Sequence, residues 1–246
     1  MLTMDENMDP YERVTRRHAL LKLGAGAATA LGATAWGAKE LLDAEEADAA
    51  RTGPAAVASG LVSCVLAPEM TEGPYYVEGD KVRRNITEGR PGVPLWLRLT
   101  IVDISRCKAI KGAAVDIWHC DAGGVYSGTS VQNTDALTFM RGIQRTDKNG
   151  LAIFRTIYPG WYMGRAVHIH LKVYLGGNTV HTGQLFFPDT LTDAVYRRSP
   201  YNQRESRDQR NASDSIFRNG GRRSMLKLAK SGKGYVGRIT MGVARS

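Results

Sequence analysis

Residues 95–104, LWLRLTIVDI, alternate apolar and polar side chains, and residues 113–121, AAVDIWHCD, do so again after the turn-forming stretch CKAIKGA. Successive strand side chains point to opposite faces, so this period of two reads as half-buried β-strand, and the punctuation reads as a β-hairpin. The same signs recur downstream. An Asn149-Gly150 turn runs into LAIFRTI, the stretch RAVHIHLKV alternates, TVHTGQLFFPD follows a GGN turn, and GYVGRITMGV supplies a last strand. Short alternating strands at close intervals, with little helical period, predict a mainly β fold: an antiparallel β-sandwich. The stretch TDAVYRRSPYNQRESRDQRNASDSIFRNGG lacks alternation and is expected to be loop with short helical turns.

The 246 residues are 43% hydrophobic and 23% charged, which suits one substantial globular domain and excludes a disordered chain or a multi-pass membrane protein. The net charge of +9 is concentrated between Arg197 and Lys230, where Glu205, Asp208 and Asp214 interrupt the basic residues. No nucleic-acid motif accompanies them, so a solvated basic surface is expected and no nucleic-acid partner.

Near the N-terminus, Arg16-Arg17 precedes a Gly/Ala/Leu run that ends in small residues, the layout of a twin-arginine export signal. Residues 1–38 are therefore expected to be the signal, with Ala33-Thr34-Ala35 a cleavage site, and residues 39–60 a linker. The expected destination is periplasmic, extracellular or membrane-tethered, and the expected partner is the export machinery. Of the three cysteines, Cys64 and Cys107 are expected to pair in that oxidising compartment, leaving Cys120, in a buried-looking strand, as a free thiol.

His168 and His170 spend two of only five histidines at i and i+2, which puts both imidazoles on one strand face with Val167, Ile169 and Leu171 on the other. That spacing points to a metal pair. No Asp or Glu lies in the strand, and there is no HExxH, but Tyr162 and Tyr126 stand close by. Phenolate is a hard anionic donor with an ordinary pKa near 10, so only a strongly Lewis-acidic centre such as iron(III) binds it ionised at neutral pH. A zinc hydrolase and a non-catalytic β-sandwich binding module are the competing readings.

GAAVDIWHCDAGGVYSG, GIQRTDKNGLAIFRTIYPGWY and RAVHIH together resemble the intradiol ring-cleaving catechol dioxygenases, and APEMTEGPYY resembles the segment preceding the core of their protocatechuate-type members. The resemblance runs from Pro68 to Val243 and makes residues 61–246 the catalytic domain. It implies that Tyr126, Tyr162, His168 and His170 bind Fe(III), with Tyr162 displaced by substrate and taking up one of its protons. Arg165 would stabilise the carbanionic form of the bound catechol, Gln184 would support it, and Thr71, Gly73, Pro74 and Tyr75 would wall the pocket. Trp118 and His119 are expected to pack and hydrogen-bond behind the ligands. A catechol-type substrate, O2 and a cis,cis-muconate-type product follow, in an assembly that allows a homo-oligomer. Only Met163 and Gly164 separate Tyr162 from Arg165, where well-known members carry a longer insertion, which leaves the choice of catechol open.

Overall fold

The computed structural model describes residues 66–79 and 81–244. The stretches expected to be an export signal and a linker, and Cys64, lie outside the described residues. Nine strands are described: β1 (Pro94–Asp103), β2 (Lys108–Ala109), β3 (Ala114–Trp118), β4 (Arg141–Arg145), β5 (Leu151–Ile157), β6 (His168–Leu175), β7 (Asn178–Phe186), β8 (Lys227–Ser231) and β9 (Gly234–Val243). They form two sheets. The first runs β2-β1-β9-β8, with β5 also paired to β1; the second runs β4-β3-β6-β7.

One expectation is corrected. The stretches 95–104 and 113–121 are strands, but they are not a hairpin: β1 pairs only briefly with β2 and otherwise with β5 and β9, whereas β3 lies between β4 and β6 in the other sheet. Alternation identifies a strand and its buried face but carries no information about its neighbour. The mainly β sandwich is as expected and its described strand pairs are antiparallel except one: β9 returns to β1 in parallel register, Leu95 opposite Tyr235 through Asp103 opposite Val243. Between β1 and β9 the chain passes through β2 to β8, which gives ample length for the crossover that a parallel neighbour needs.

The core lies between the sheets. Leu95, Leu97, Leu99 and Ile101 face inward from β1, and Val115, Ile117, Ile169, Leu171 and Val173 face them from β3 and β6, all fully buried. Each such side chain contributes about 1.5–3 kcal/mol of burial free energy. The odd-numbered positions of β6 are committed to this core, so the even-numbered ones, including His168 and His170, are carried on the opposite face.

The connection between β7 and β8 contains α1 (Asp189–Tyr196), a 3-10 turn at Tyr201–Gln203, α2 (Ser215–Arg218) and a 3-10 turn at Gly221–Ser224, as its sequence suggested. Its basic residues are not all a solvated surface. The Arg207 side chain is 4% exposed and is paired with Asp189 and Asp193, and the Arg204 guanidinium lies 4.4 Å above the Trp161 ring. Cys107 is disulfide-bonded and Cys120 is free and buried. Cys120 lies just past β3 rather than inside it, with its thiol directed at the Gly160 carbonyl.

Candidate metal centre

Strand register assembles the back of the site. On the second sheet Trp118, His170 and Gln184 are direct cross-strand partners, and His168 is opposite Phe186. The Trp118 indole stacks on the His170 imidazole with centroids 5.0 Å apart and planes 5° from parallel. One face of His170 is thereby fixed by an apolar plate while its edge remains available.

The two imidazoles converge. His168 Nδ1 is held by the Ala166 carbonyl at 2.7 Å, a contact that requires the proton on Nδ1 and leaves a lone pair on Nε2. That Nε2 lies 2.9 Å from Nε2 of His170. Burial, with Arg165 adding to it, pushes the His168 pKa down to about 3, and burial beside His168 pushes His170 well below the ordinary value. Both rings are therefore neutral, as a metal ligand must be.

Two tyrosines complete the cluster. Tyr126, in the loop between β3 and β4, is 1% exposed, and its hydroxyl is buried with no hydrogen-bond partner among the described residues. Its ring lies 5.5 Å from that of Tyr162 and 6.2 Å from that of His170; Tyr162 in turn lies 5.7 Å from His168. Burial raises the Tyr126 pKa well above the ordinary tyrosine value, and it raises Tyr162 against the opposing pull of Arg165. Leaving a buried hydroxyl unsatisfied costs about 1–3 kcal/mol, so its oxygen marks a place for a partner. A hard, highly charged cation answers every feature of this donor set: two phenol oxygens that it would ionise and two imidazole lone pairs. Among the described residues no group of three or more His, Cys, Asp and Glu forms, so neither a carboxylate nor a thiolate completes the histidine pair, as the zinc hydrolase reading would need.

Arg165 closes one side. The tight turn Tyr162-Met163-Gly164-Arg165 is joined by Arg165 N–H donating to the Tyr162 carbonyl at 3.3 Å, and Gly164 adopts φ +80°, which favours glycine. Met163 is 81% exposed at its apex. The turn brings Arg165 Nη1 to 3.5 Å from the Tyr162 hydroxyl, while Nη2 donates to Gln184 Oε1 at 2.6 Å and Nε donates to Asp214 Oδ2 at 2.9 Å. Gln184 Nε2 then donates to the Thr71 carbonyl at 2.9 Å, so one amide links the guanidinium to the opposite wall.

That wall is the segment 71–77. The Thr71 hydroxyl accepts from Gly73 N–H at 3.2 Å, Gly73 packs its bare Cα against His170, and Pro74 is exposed in the turn beside it. The Tyr75 ring stacks 4.4 Å from Tyr126 and meets Tyr162 edge-on at 5.7 Å. Arg141, only 2% exposed, fastens this wall: its Nη2 donates both to the Tyr75 carbonyl at 2.7 Å and to the Ser127 carbonyl at 2.6 Å. Sequence reasoning passed over Arg141 and Asp214, whose polar character alone does not distinguish them from surface residues. His119 faces away from the cluster, bonded to the Cys120 carbonyl and the Thr156 hydroxyl, and is a core residue. His181 pairs with Glu69.

Two histidines on β6, with Tyr126, Tyr162 and the tethered Arg165 on the loops beside them, give this β-sandwich a donor set suited to a hard metal ion. In agreement, the dioxygenase family profile matches residues 71–197. The fold is similar to that of an intradiol ring-cleavage dioxygenase from Tetranychus urticae, with a TM-score of 0.70 and 38% identity over 74% of this chain and 95% of the other. The sequence is 27% identical over 137 residues to chlorocatechol 1,2-dioxygenase of Pseudomonas putida, covering 47% of this chain and 52% of that protein. It is 30% identical over 129 residues to catechol 1,2-dioxygenase of Pseudomonas sp. (strain EST1001), covering 49% and 37%. The chain belongs to the intradiol ring-cleavage dioxygenase family. Its match spans about half or less of the length of these curated relatives.

Proposed function

We propose that this protein is a non-haem iron(III) intradiol dioxygenase that inserts both atoms of O2 into a catechol-type diol, such as catechol, protocatechuate or hydroxyquinol. The product is a cis,cis-muconate-type dicarboxylate, and the reaction serves the breakdown of aromatic compounds. The observation that carries this reading is the convergence of the Tyr126, Tyr162, His168 and His170 rings beside Arg165. Catechol plus O2 equals the dicarboxylic acid atom for atom, so no external reductant is needed.

Tyr126, Tyr162, His168 and His170 would hold the iron. When bound, iron(III) supplies Lewis acidity that ionises the phenols and the diol and draws electron density from the ring. The protein supplies the rest. Tyr162 is the less buried of the two tyrosines and lies on the Arg165 side, so its oxygen is the one suited to accept a proton from an entering diol hydroxyl. Tyr126 is enclosed by Tyr75 and serves as the fixed ligand. The Arg165 cation is held by Gln184 and Asp214 and pays no reorganisation cost when negative charge builds on the substrate ring. Tyr75 and Gly73 offer a flat apolar wall to an aromatic ring and keep water from it.

Export by the twin-arginine route is part of the same reading and rests on Arg16-Arg17 and the run that follows. That route carries folded proteins, so the metal would be loaded before transit. The activity is tested by incubating iron-loaded protein with each diol under 18O2 and weighing the product. A dicarboxylate carrying two labelled atoms is expected. A hydroxy-semialdehyde product, or no oxygen uptake with any of the diols, would reject it.

A further inference from the structure

Asp214 lies outside residues 71–197, 49 positions from Arg165, on a segment with no ligand of its own. Its carboxylate is nevertheless 1% exposed and is used at both oxygens. Oδ1 accepts from the N–H groups of Ile216 at 2.7 Å and Phe217 at 3.0 Å, which caps α2. Oδ2 accepts from Arg165 Nε at 2.9 Å and from the Ala166 N–H at 2.8 Å. A helix cap needs only the first oxygen. The second grips both the side chain of Arg165 and the backbone of the residue after it, and the Ala166 carbonyl is the group that orients His168.

The same segment holds the turn at two further points. Asp208 Oδ2 accepts from Gly164 N–H at 2.8 Å, and Arg204 Nη1 donates to the Trp161 carbonyl at 2.7 Å while its guanidinium covers the Trp161 ring. Residues 204–214 thus clasp residues 161–166 at three places along their length. Of the three holds, only Asp214 reaches the arginine. With Nε bound to Asp214 and Nη2 bound to Gln184, two edges of the guanidinium are fixed, and Nη1 is the nitrogen turned to Tyr162.

We propose that Asp214 is a positioning residue for the dioxygenase reaction: through Oδ2 it sets the orientation in which Arg165 presents Nη1 to the site, in addition to capping α2. This rests on the activity proposed above. It distinguishes the two oxygens of one carboxylate, and that distinction makes it testable.

The Asp214→Ser variant of the full chain keeps a hydroxyl acceptor for the cap but is too short to reach Arg165. Asp214→Asn keeps a carbonyl oxygen for one side and puts an amide donor against donors on the other. Three quantities separate the roles: the anaerobic dissociation constant for catechol, kcat under O2, and the protected Arg165 Nε–H resonance, assigned by its loss in Arg165→Lys. Because a displacement near 1 Å costs about 100-fold in rate, kcat is expected to fall by roughly 10- to 100-fold in both variants. The catechol dissociation constant is expected to stay within about threefold, since the metal ligands are intact, and the Arg165 Nε–H resonance is expected to lose its protection. An unchanged kcat with an unchanged resonance would overturn the proposal. A kcat that falls only in proportion to lost folded protein would also overturn it, leaving Asp214 a cap. Should the wild-type protein cleave no diol, the activity reading fails, while the resonance still decides whether Asp214 orients Arg165.

Discussion

His168 Nε2 and His170 Nε2 are 2.9 Å apart, and the outer nitrogen of His168 is already committed to the Ala166 carbonyl. Two lone pairs cannot be pointed at one another at that distance without a proton or a cation between them. On the proposed iron reading, removing one histidine removes a ligand rather than a core contact. His170→Ala and Tyr126→Phe are each expected to lose bound iron and activity together, while thermal unfolding of the metal-free protein stays cooperative. Iron per chain, measured after dialysis against a chelator, checks this; full retention in either variant would exclude that residue from the ligand set.

Arg165 reaches the proposed ligand set through its Nη1, 3.5 Å from the Tyr162 hydroxyl, and supplies no ligand itself, so its loss should spare the metal. Arg165→Ala is expected to keep iron and to lower kcat by about 100- to 1,000-fold, the usual effect of deleting one oriented charge that stabilises a transition state. Steady-state oxygen uptake at saturating diol provides the measurement. Wild-type turnover would remove Arg165 from the chemistry.

Gly73 has φ +76°, and a Cβ placed there would stand 3.0 Å from His170 Cε1. Gly73→Ala should thus cost about 1–2 kcal/mol in backbone strain and also press on a ligand ring. Weaker iron binding is expected along with a lower unfolding midpoint. A variant that loses stability but binds iron as before would show that the segment 71–77 yields to the methyl group without disturbing His170.

Buried neutral histidines give a defined acid dependence. Burial holds His119 down to about 4, against 6.5 in an unfolded chain, so between those values the unfolded state binds a proton that the folded state refuses. Stability should fall as pH drops from 6.5 toward 4, with His119 alone accounting for roughly 3 kcal/mol; below 4 the His119 contribution levels off. His168 and His170 act in the same direction in the metal-free protein. Urea unfolding of metal-free protein across this range should show the slope, and His119→Gln should make it shallower; an equal slope in the variant would contradict the assignment.

Much of this was legible before any coordinates. Period-two alternation located β1, β3, β5, β6, β7 and β9, because each buries one face in a common core. Partnership was not legible: β1 and β3 share the same pattern yet lie in different sheets, since facing a core from either side produces the same alternation. The short, exposed β8 carries almost no apolar signal. At the site, the histidine pair, both tyrosines and Arg165 could be found because they lie within or beside patterned strands. Asp214 was read only as an acid interrupting a basic stretch; its grip on Arg165 is a contact between distant segments that no local pattern records. The His181 partner, Glu69, was hidden for the same reason, being 112 residues away.

The visible absorption spectrum of the iron(III)-loaded protein, taken before and after anaerobic catechol, tests the two-tyrosine, two-histidine centre most directly. A broad tyrosinate-to-iron band that colours the protein burgundy, shifts when catechol is added and disappears in Tyr126→Phe is expected. A protein that takes up one iron(III) per chain and remains colourless, with no change on adding catechol, would contradict it.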